Sequence, residues 1–162
     1  MQTRRSRINE NQKVTLTLGQ LKRLVRESVE DNGDFEIENG VLVKYNGRGG
    51  NVVIPDGIEE IGETSFWCCE GLTSVSIPNS VWNIDDSAFW GCTGLKSVTI
   101  PDSVTRIGWD VFNGCTSLES VGLPPNLLAE AINNIDDIDY IFEDTPWAEK
   151  MKKKYGYEGT ED

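Results

Sequence analysis

The chain has 162 residues, enough for one domain, and carries 27 acidic against 15 basic residues, a net charge of −12. A surface this acidic repels nucleic acid, anionic lipid and acidic substrates, and it is steered towards basic surfaces. The chain contains no histidine, which excludes catalytic triads and metal sites that depend on an imidazole.

The first thirty residues carry the opposite charge. They hold seven basic and three acidic residues, a net charge of +4, whereas the remainder carries −16. Residues 1–12 are polar and include Arg4, Arg5 and Arg7, which predicts a disordered basic leader. No apolar run of about seven residues follows, and no stretch approaches the ~18 apolar residues of a membrane span, so neither a signal peptide nor a span is predicted. We therefore expect a cytoplasmic protein; the alternative is a cell-surface or secreted protein whose export signal was removed.

Residues 13–33 have the pattern of an amphipathic helix. Thr17 and Gln20 form a capping box near its start, and Gly33 is a suitable stop. The apolar face consists of Leu21, Leu24, Val25 and Val29. Such a face packs against the N-terminal side of the adjoining fold or, alternatively, enters a groove of a partner protein.

Residues 34–54 predict a hairpin followed by a strand. Asn39-Gly40 lies between two alternating runs and is a strong signal for a two-residue turn, and Gly49-Gly50 marks a second turn. The predicted strands are Phe35–Ile37, Val41–Tyr45 and Val52–Ile54. We expect the hairpin to cap the edge of the sheet that follows.

A period of 23 residues organises the middle of the chain. The stretch SVSIPNSV begins at Ser74, and SVTIPDSV begins at Ser97. The same step defines three full repeats, at residues 55–77, 78–100 and 101–123. The aligned columns include Ile58, Val81 and Val104; Ile61, Ile84 and Ile107; Phe66, Phe89 and Phe112; Leu72, Leu95 and Leu118; and Val75, Val98 and Val121. A fixed period of this length indicates a repeat architecture.

Each repeat predicts a short strand, because Ser-Val-Ser-Ile at 74–77 alternates polar and apolar residues. The proline that follows lacks the N–H that a strand interior needs, so it ends the strand. One repeat cannot bury its own Phe, Leu and Ile, whereas stacked repeats bury them between neighbours. The sequence therefore predicts a mainly β repeat solenoid with parallel strands about 4.8 Å apart.

The stretch LTSVSIPNSVWNIDDSAFWGC, from Leu72 to Cys92, follows the pattern L-x-x-V-x-I-P-x-S-V-x-x-I-G-x-x-A-F-x-G-C. This pattern resembles the BspA-type, or Treponema-type, leucine-rich repeat, and the likeness extends over residues 34–123. Three residues of the repeats differ from the pattern: Asp85 and Cys68 stand where it has glycine, and Val111 stands where it has alanine. The resemblance implies a solenoid fold and a bacterial surface or secreted protein that binds other macromolecules.

The 23-residue register is lost after residue 123, and residues 124–155 are predicted to form a C-terminal cap. Thr145 is a suitable N-cap with Pro146 at the first helical position, so a short helix should run to about Tyr155. Residues 156–162 form an acidic tail.

The cap also contains the acidic cluster Asp136, Asp137, Asp139, Glu143 and Asp144. We interpret this cluster as solvated surface; the carboxylate pair of a glycosidase is the formal alternative.

Three of the four cysteines share a column. Cys69, Cys92 and Cys115 are expected to form a buried ladder of free thiols, because stacked parallel side chains are far from the dihedral angle of a disulfide. Cys68 occupies a column of glycines and is expected to be exposed. No C-x-x-C pair occurs, and no metal, cofactor or catalytic residue is predicted.

Four of the five tryptophans stand where other repeats have polar residues. Such positions face solvent, and tryptophan is enriched at binding hot spots. Trp67 and Trp90 share a column and should be neighbours in an aromatic patch. The predicted partner-binding residues are Trp67, Trp82, Trp90 and Trp109, with the acidic residues Glu63, Asp85, Asp86 and Asp110. The alternative is that some of these rings fold over the edge of the coil and cover core.

These features predict a non-enzymatic protein-binding module that presents an acidic, tryptophan-rich surface to a partner with a basic surface. One alternative is an intracellular acidic inhibitor, encoded by a mobile element, that occludes a basic nucleic-acid-binding cleft of a target protein. Another is a surface adhesin or glycan-binding protein that uses the tryptophans as sugar platforms. No direct contact with nucleic acid or membrane is predicted.

Overall fold

Short strands and tight bends follow one another along the chain. The computed structural model describes Thr17, residues 33–128 and residues 135–155. The predicted leader, nearly all of the predicted N-terminal helix and the acidic tail lie outside these residues. The described strands and helices are β1 (Phe35–Glu38), β2 (Val41–Tyr45), β3 (Gly50–Val53), β4 (Glu60–Ile61), β5 (Leu72–Ser76), β6 (Asn83–Ile84), β7 (Ser97–Thr99), β8 (Arg106–Ile107), β9 (Ser120–Gly122), α1 (Ile135–Phe142) and α2 (Pro146–Tyr155).

The strands form two sheets. In sheet A, β2, β4, β6 and β8 are parallel and β1 adds an antiparallel edge; in sheet B, β3, β5, β7 and β9 are parallel. The pairing keeps the sequence period, since Ser74 lies opposite Ser97 and Asn83 opposite Arg106. Each repeat thus forms one layer of a coil, and the predicted mainly β solenoid is confirmed.

Alternation along the strands places the core between the sheets. In sheet B, Val75 and Val98 are buried while Ser76 and Thr99 are exposed. In sheet A, Ile84 is fully buried. Apolar side chains of both sheets therefore meet inside the coil, and hydroxyl side chains cover the outer face of sheet B.

A column of stacked aromatic rings runs along this core. Phe66, Phe89 and Phe112 are fully buried, and the centroids of neighbouring rings are 4.8 and 5.3 Å apart. Aromatic pairs at this separation stabilise by about 0.5–1.5 kcal/mol beyond the area they bury. Tyr45 continues the column at the N-terminal end, 4.9 Å from Phe66.

The coil resumes at the C-terminal end, where the sequence indicated that its register is lost. The Phe142 ring stacks on Phe112 at 5.3 Å, so it joins the aromatic column after a step of 30 residues instead of 23. The backbone pairs as well, with the Phe112 N–H donating to the Ile141 carbonyl oxygen at 2.8 Å. The longer step explains why a search at a fixed period misses this layer.

Helix α2 closes the aromatic column. Thr145 caps the helix, since its Oγ1 accepts a hydrogen bond from the Ala148 N–H at 3.1 Å. Trp147 is only 6% exposed, and its ring lies 4.6 Å from that of Phe142. The fifth tryptophan is therefore core, covering the open end that a solenoid would otherwise expose.

The hairpin of β1 and β2 extends sheet A at the N-terminal end. Asn39 and Gly40 have φ of 52° and 86°, as the two central residues of a type I′ turn require. Strand β2 pairs in parallel with β4, so the hairpin belongs to the coil. The next strand, β3, begins at Gly50, two residues before the predicted start at Val52.

The cysteine column lies beside the aromatic column. Cys92 and Cys115 are buried, Cys69 is half-buried and Cys68 is exposed. The Cys92 thiol donates to the Phe66 carbonyl oxygen at 3.1 Å. Hydrogen bonding with Cys115 and Cys69, together with burial, raises the pKa of the Cys92 thiol, so this thiol stays protonated and unreactive in the folded protein.

We expect Phe89→Ala to lower the free energy of unfolding by about 3–5 kcal/mol, because it removes a fully buried ring stacked on both sides. Chemical denaturation followed by circular dichroism measures the change. Val53→Ala, at a side chain that is 69% exposed, is the control and should change this free energy by less than about 0.5 kcal/mol. An unchanged denaturation curve for Phe89→Ala would contradict the stacked core.

We expect all four cysteines to titrate as free thiols with Ellman's reagent under denaturing, non-reducing conditions. In the native protein, the exposed Cys68 should react first, and the buried Cys92 and Cys115 only on unfolding. Cys68→Ser should remove the fast phase and lower the denatured count by one. A denatured count of two or zero for the parent would show that the cysteines are oxidised.

Candidate functional site

Three successive layers make the same tight corner between sheet A and sheet B. The corner segments are residues 62–72, 85–95 and 108–118. Thr64, Ser87 and Asp110 take φ of 53–55° at the same position in each corner, a left-handed conformation that tightens the bend. In the middle corner, a hydrogen bond from the Trp90 N–H to the Ser87 carbonyl oxygen, 3.0 Å long, closes the turn around Phe89. The core phenylalanine of each corner is thereby buried, and the residue after it lies at the surface.

Trp67 and Trp90 form a stacked pair on two neighbouring corners. Their ring centroids are 5.8 Å apart with an angle of 24° between the ring planes. Trp67 is 58% exposed and Trp90 is half-buried. Each follows a core phenylalanine directly, so the register that stacks Phe66 on Phe89 also stacks the two tryptophans. The result is a ledge of aromatic surface open to solvent.

Trp109 and Tyr140 form a second aromatic pair at the C-terminal end of the corners. Their ring centroids are 4.9 Å apart, and the side chains are 63% and 51% exposed. Asp86 Oδ1 accepts a hydrogen bond from the Trp109 N–H at 2.9 Å, which ties Trp109 to the preceding layer. The sequence predicted Trp109 but not Tyr140, because Tyr140 follows the break in the 23-residue register.

A polar network occupies the column of Trp67 and Trp90 in the next layers. Asn113 takes the tryptophan position, and its Nδ2 donates to Asp110 Oδ1 at 3.1 Å and to Glu143 Oε2 at 3.0 Å. Glu143 was assigned from the sequence to a solvated acidic cluster in the cap. The structure instead brings it to the corners, beside the predicted residue Asp110.

We call the outward-facing residues of the corners the corner surface: Trp67, Trp90, Trp109, Tyr140, Glu63, Asp85, Asp86, Asp110 and Glu143. Among the side chains described in residues 33–128 and 139–155, the ion pairs are those of Lys152 with Asp139 and Glu149 on the C-terminal helices. No lysine or arginine of this part of the chain therefore pairs with the carboxylates of the corner surface. Their summed field is negative and attracts cationic groups.

Trp82 lies on another part of the coil. It directly precedes β6 in sheet A and is 42% exposed. Its N–H donates to the Glu59 carbonyl oxygen at 2.9 Å, and its own carbonyl oxygen accepts from the Thr105 N–H at 2.9 Å. Trp67 stacks on Trp90, and Trp109 contacts Tyr140. Among the described residues, the Trp82 ring has no such aromatic contact. Trp82 thus lies outside the corner segments, before β6 and not after it.

Two further properties concern the described part of the chain as a whole. It contains no group of three or more His, Cys, Asp or Glu side chains that could hold a metal ion. It also contains no helix with the length and apolar character needed to cross a membrane. What the corner surface offers chemically is aromatic stacking and attraction of positive charge.

Parts of this chain are similar to solved leucine-rich repeat proteins. One from Eubacterium ventriosum is 23% identical over 57% of this chain and 28% of its own, with a TM-score of 0.50. A leucine rich cell surface protein from Faecalibacterium prausnitzii is 37% identical over 44% of this chain and 18% of its own, with a TM-score of 0.42. The leucine-rich repeat protein of T. pallidum is 19% identical over 58% of this chain and 82% of its own, with a TM-score of 0.31. The chain thus spans less than a third of the first two proteins.

Sequence comparison gives the family more directly. Curated proteins yield no match to the chain. The family model described as "BspA type Leucine rich repeat region (6 copies)" matches residues 44–146, which is more than half of the chain and includes the C-terminal layer built around Phe142. The resemblance seen in the repeat motif is therefore confirmed, and the chain belongs to the BspA-type leucine-rich repeat family.

Proposed function

We propose that this protein is a non-enzymatic protein-binding module whose corner surface binds a partner with a basic surface. Its family is one of protein-interaction repeats, and solenoids of stacked repeats offer extended surfaces for such binding. The observation that carries the proposal is the stacked, solvent-exposed pair of Trp67 and Trp90, on the same corners as carboxylates that lack ion-pair partners among the described residues.

The aromatic pairs favour protein binding because they leave a large apolar area in water. Aromatic side chains bury about 150–250 Å² each when they are covered, and Trp67 and Trp109 are both more than half exposed. Stacking also holds the Trp67 and Trp90 rings in place before binding. A rigid aromatic anchor loses little conformational entropy on association, which raises affinity.

The carboxylates favour a basic partner. An arginine guanidinium stacks on the face of a tryptophan ring and at the same time donates hydrogen bonds to a carboxylate. In support, Asp86 Oδ1 accepts a hydrogen bond from the backbone N–H of Trp109, and Glu63 occupies the column of Asp86 one layer earlier, so carboxylates and indole rings lie on the same corners. We therefore propose that arginine side chains of the partner contact this surface.

A narrower form of the proposal is an inhibitor that occludes a basic nucleic-acid-binding cleft. Its support is the net charge of −16 outside the first thirty residues. Affinity capture from a native lysate, followed by identification of the bound protein, tests it. Recovery of a nucleic-acid-binding enzyme would favour the inhibitor, whereas a hit on a glycan array would favour the glycan-binding alternative.

We expect Trp67→Ala and Trp90→Ala to weaken binding of the captured partner by about 2–4 kcal/mol each, or roughly thirty- to a thousand-fold in Kd, because each removes half of a stacked anchor. Isothermal titration calorimetry with the purified partner measures the change. Circular dichroism on the same samples checks folding, since Trp90 follows the core residue Phe89.

Trp82→Ala is the matched control for these variants. Trp82 is comparably exposed but directly precedes β6, outside the corner surface, so its loss should leave Kd within about twofold. If folded Trp67→Ala and Trp90→Ala bind as tightly as the parent, the corner surface is not the binding site.

We expect the double variant Glu63→Gln, Asp86→Asn to lower the association rate several-fold at low salt and to flatten its dependence on ionic strength. The charge of these exposed carboxylates attracts the partner at a distance, so it contributes to the association rate in addition to any contact in the bound complex. The asparagine keeps an oxygen that accepts from the Trp109 N–H. Surface plasmon resonance at several salt concentrations measures both rates. A change confined to the dissociation rate would contradict electrostatic steering.

A further inference from the structure

Two columns of side chains run along the corner surface, parallel to the axis of the coil. The first column consists of Glu63, Asp86, Trp109 and Tyr140 in successive layers. Backbone hydrogen bonds establish its last step, because the Ser87 N–H donates to the Trp109 carbonyl oxygen at 2.8 Å and its equivalent in the next layer, the Asp110 N–H, donates to the Tyr140 carbonyl oxygen at 2.5 Å. Tyr140 is therefore the counterpart of Trp109 in the fourth layer.

The second column consists of Trp67, Trp90, Asn113 and Glu143. Here the Gly91 N–H donates to the Asn113 carbonyl oxygen at 2.8 Å, and the equivalent Gly114 N–H donates to the Glu143 carbonyl oxygen at 3.0 Å. Side chains of neighbouring layers also touch in this column, since the first two rings stack and Asn113 Nδ2 donates to Glu143 Oε2 at 3.0 Å. The backbone thus fixes both columns over four layers.

Aromatic and polar side chains exchange columns halfway along the corner surface. In the first two layers, the rings of Trp67 and Trp90 occupy the second column and carboxylates occupy the first. In the last two layers, the rings of Trp109 and Tyr140 occupy the first column and polar side chains occupy the second. We call these the N-terminal half and the C-terminal half. Each layer of either half presents one ring and one polar group.

Each half supplies the two groups that an arginine side chain binds. A guanidinium stacks on an aromatic face and donates hydrogen bonds to a carboxylate. In the C-terminal half, Asn113 Nδ2 donates to both Asp110 Oδ1 and Glu143 Oε2, at 3.1 and 3.0 Å, which holds the two carboxylates on one amide. In the N-terminal half, the carboxylates are those of Glu63 and Asp86, both exposed. No cation of the described side chains pairs with any of the four.

The exchange of columns places the two arginine positions in one line along the coil. Each position lies between the columns, because the rings and the carboxylates of a half stand in different columns. Neighbouring rings of the core column have centroids 4.8–5.3 Å apart. The layers are therefore about 5 Å apart, and the centres of the two halves, which differ by two layers, are about 10 Å apart.

We propose that the corner surface binds a partner segment in the polyproline II conformation with the pattern Arg-x-x-Arg, one guanidinium in each half. This conformation has three residues per turn and rises about 3.1 Å per residue, so residues i and i+3 lie on the same side about 9.3 Å apart. That spacing matches the separation of the halves. Segments of this kind dock on surfaces lined by aromatic rings. The inference rests on the proposed function, since it specifies the partner of the same surface.

Charge complementarity supports a ligand with two cations. Carboxylates without ion-pair partners among the described side chains are present in both halves, so a single arginine would neutralise one half and leave the other negative. Two arginines on one segment also bind more tightly than two separate ones. Once the first is bound, the second binds as an intramolecular step at a high effective concentration, provided that the spacing is correct.

The test measures this spacing with a ruler of prolines. Fluorescein-labelled peptides Gly-Arg-(Pro)n-Arg-Gly with one, two or three prolines are titrated against the full chain, and fluorescence anisotropy gives Kd. The salt concentration is ~0.15 M, where a Debye length of about 8 Å limits non-specific attraction. One or three prolines separate the arginines by about 6.2 or 12.4 Å and turn them to different sides. We expect the two-proline peptide to bind about fivefold more tightly than either, because only it engages both halves.

Variants of each half show whether both are engaged. Trp67→Ala in the N-terminal half and Tyr140→Ala in the C-terminal half should each weaken the two-proline peptide by about tenfold, because the second contact is lost. The same variants should change Kd of a peptide with alanine in place of one arginine by no more than about twofold, since the remaining half still binds it. Trp82→Ala is the matched control and should bind both peptides like the parent. Circular dichroism checks that each variant is folded.

Equal affinities of the three ruler peptides, or no saturable binding of any, would overturn the inference. So would tighter binding of a helical peptide with arginines seven residues apart, which spaces them by about 10.5 Å. These results leave the proposed function standing, because it fails only if the captured partner binds folded Trp67→Ala and Trp90→Ala as tightly as the parent.

The chain itself offers a competing occupant, since Arg4 and Arg7 of the predicted leader have the same spacing. The double variant Arg4→Gln, Arg7→Gln should bind the two-proline peptide like the parent. If it binds more than about threefold more tightly, the leader occupies the corner surface, and the inference of an external segment is wrong.

Discussion

Stacking in register is the constraint on which the rest of the structure depends. A single 23-residue repeat leaves its Phe, Leu and Ile side chains uncovered, and only neighbouring layers bury them. The aromatic column makes this visible, because Phe89 is fully buried between two other phenylalanine rings. The same constraint requires rings from outside the repeats at both ends. Phe35 packs against Tyr45 at one end, and Trp147 against Phe142 at the other.

The register that builds the core also builds the corner surface. The residue that follows a core phenylalanine lies at the surface, next to its equivalent in the adjacent layer. The register of the core is therefore sufficient to stack Trp67 on Trp90. Core columns must remain apolar, whereas surface columns are free to change from one layer to the next. Asn113 therefore replaces tryptophan in the third layer and binds Glu143 instead. This one column therefore changes from aromatic to polar along the coil, while the core column beside it stays aromatic.

The regular 23-residue step of the coil is lost at its C-terminal end. The long step between Phe112 and Phe142 supplies a fourth layer to the corner but no described strand to sheet A. One consequence is Tyr140 beside Trp109, which enlarges the corner surface. In β8, the outermost described strand of sheet A, Ile107 is less buried than Ile61 and Ile84 in the same column. This irregularity in chain length thus shapes the C-terminal end of the corner surface.

The sequence by itself determined the coil, its columns and the Asn39-Gly40 turn, because each depends on local pattern: a fixed period, strand alternation and a residue pair that tolerates positive φ. It also determined that Trp67 and Trp90 are neighbours, since equivalent positions of stacked repeats must be adjacent. Only the tertiary structure decided that Tyr140 and Glu143 join the corners while Trp82 lies apart. The period carries no information across the 30-residue step, and the side of the coil on which a column lies depends on how the bends close, which emerges only when the layers pack.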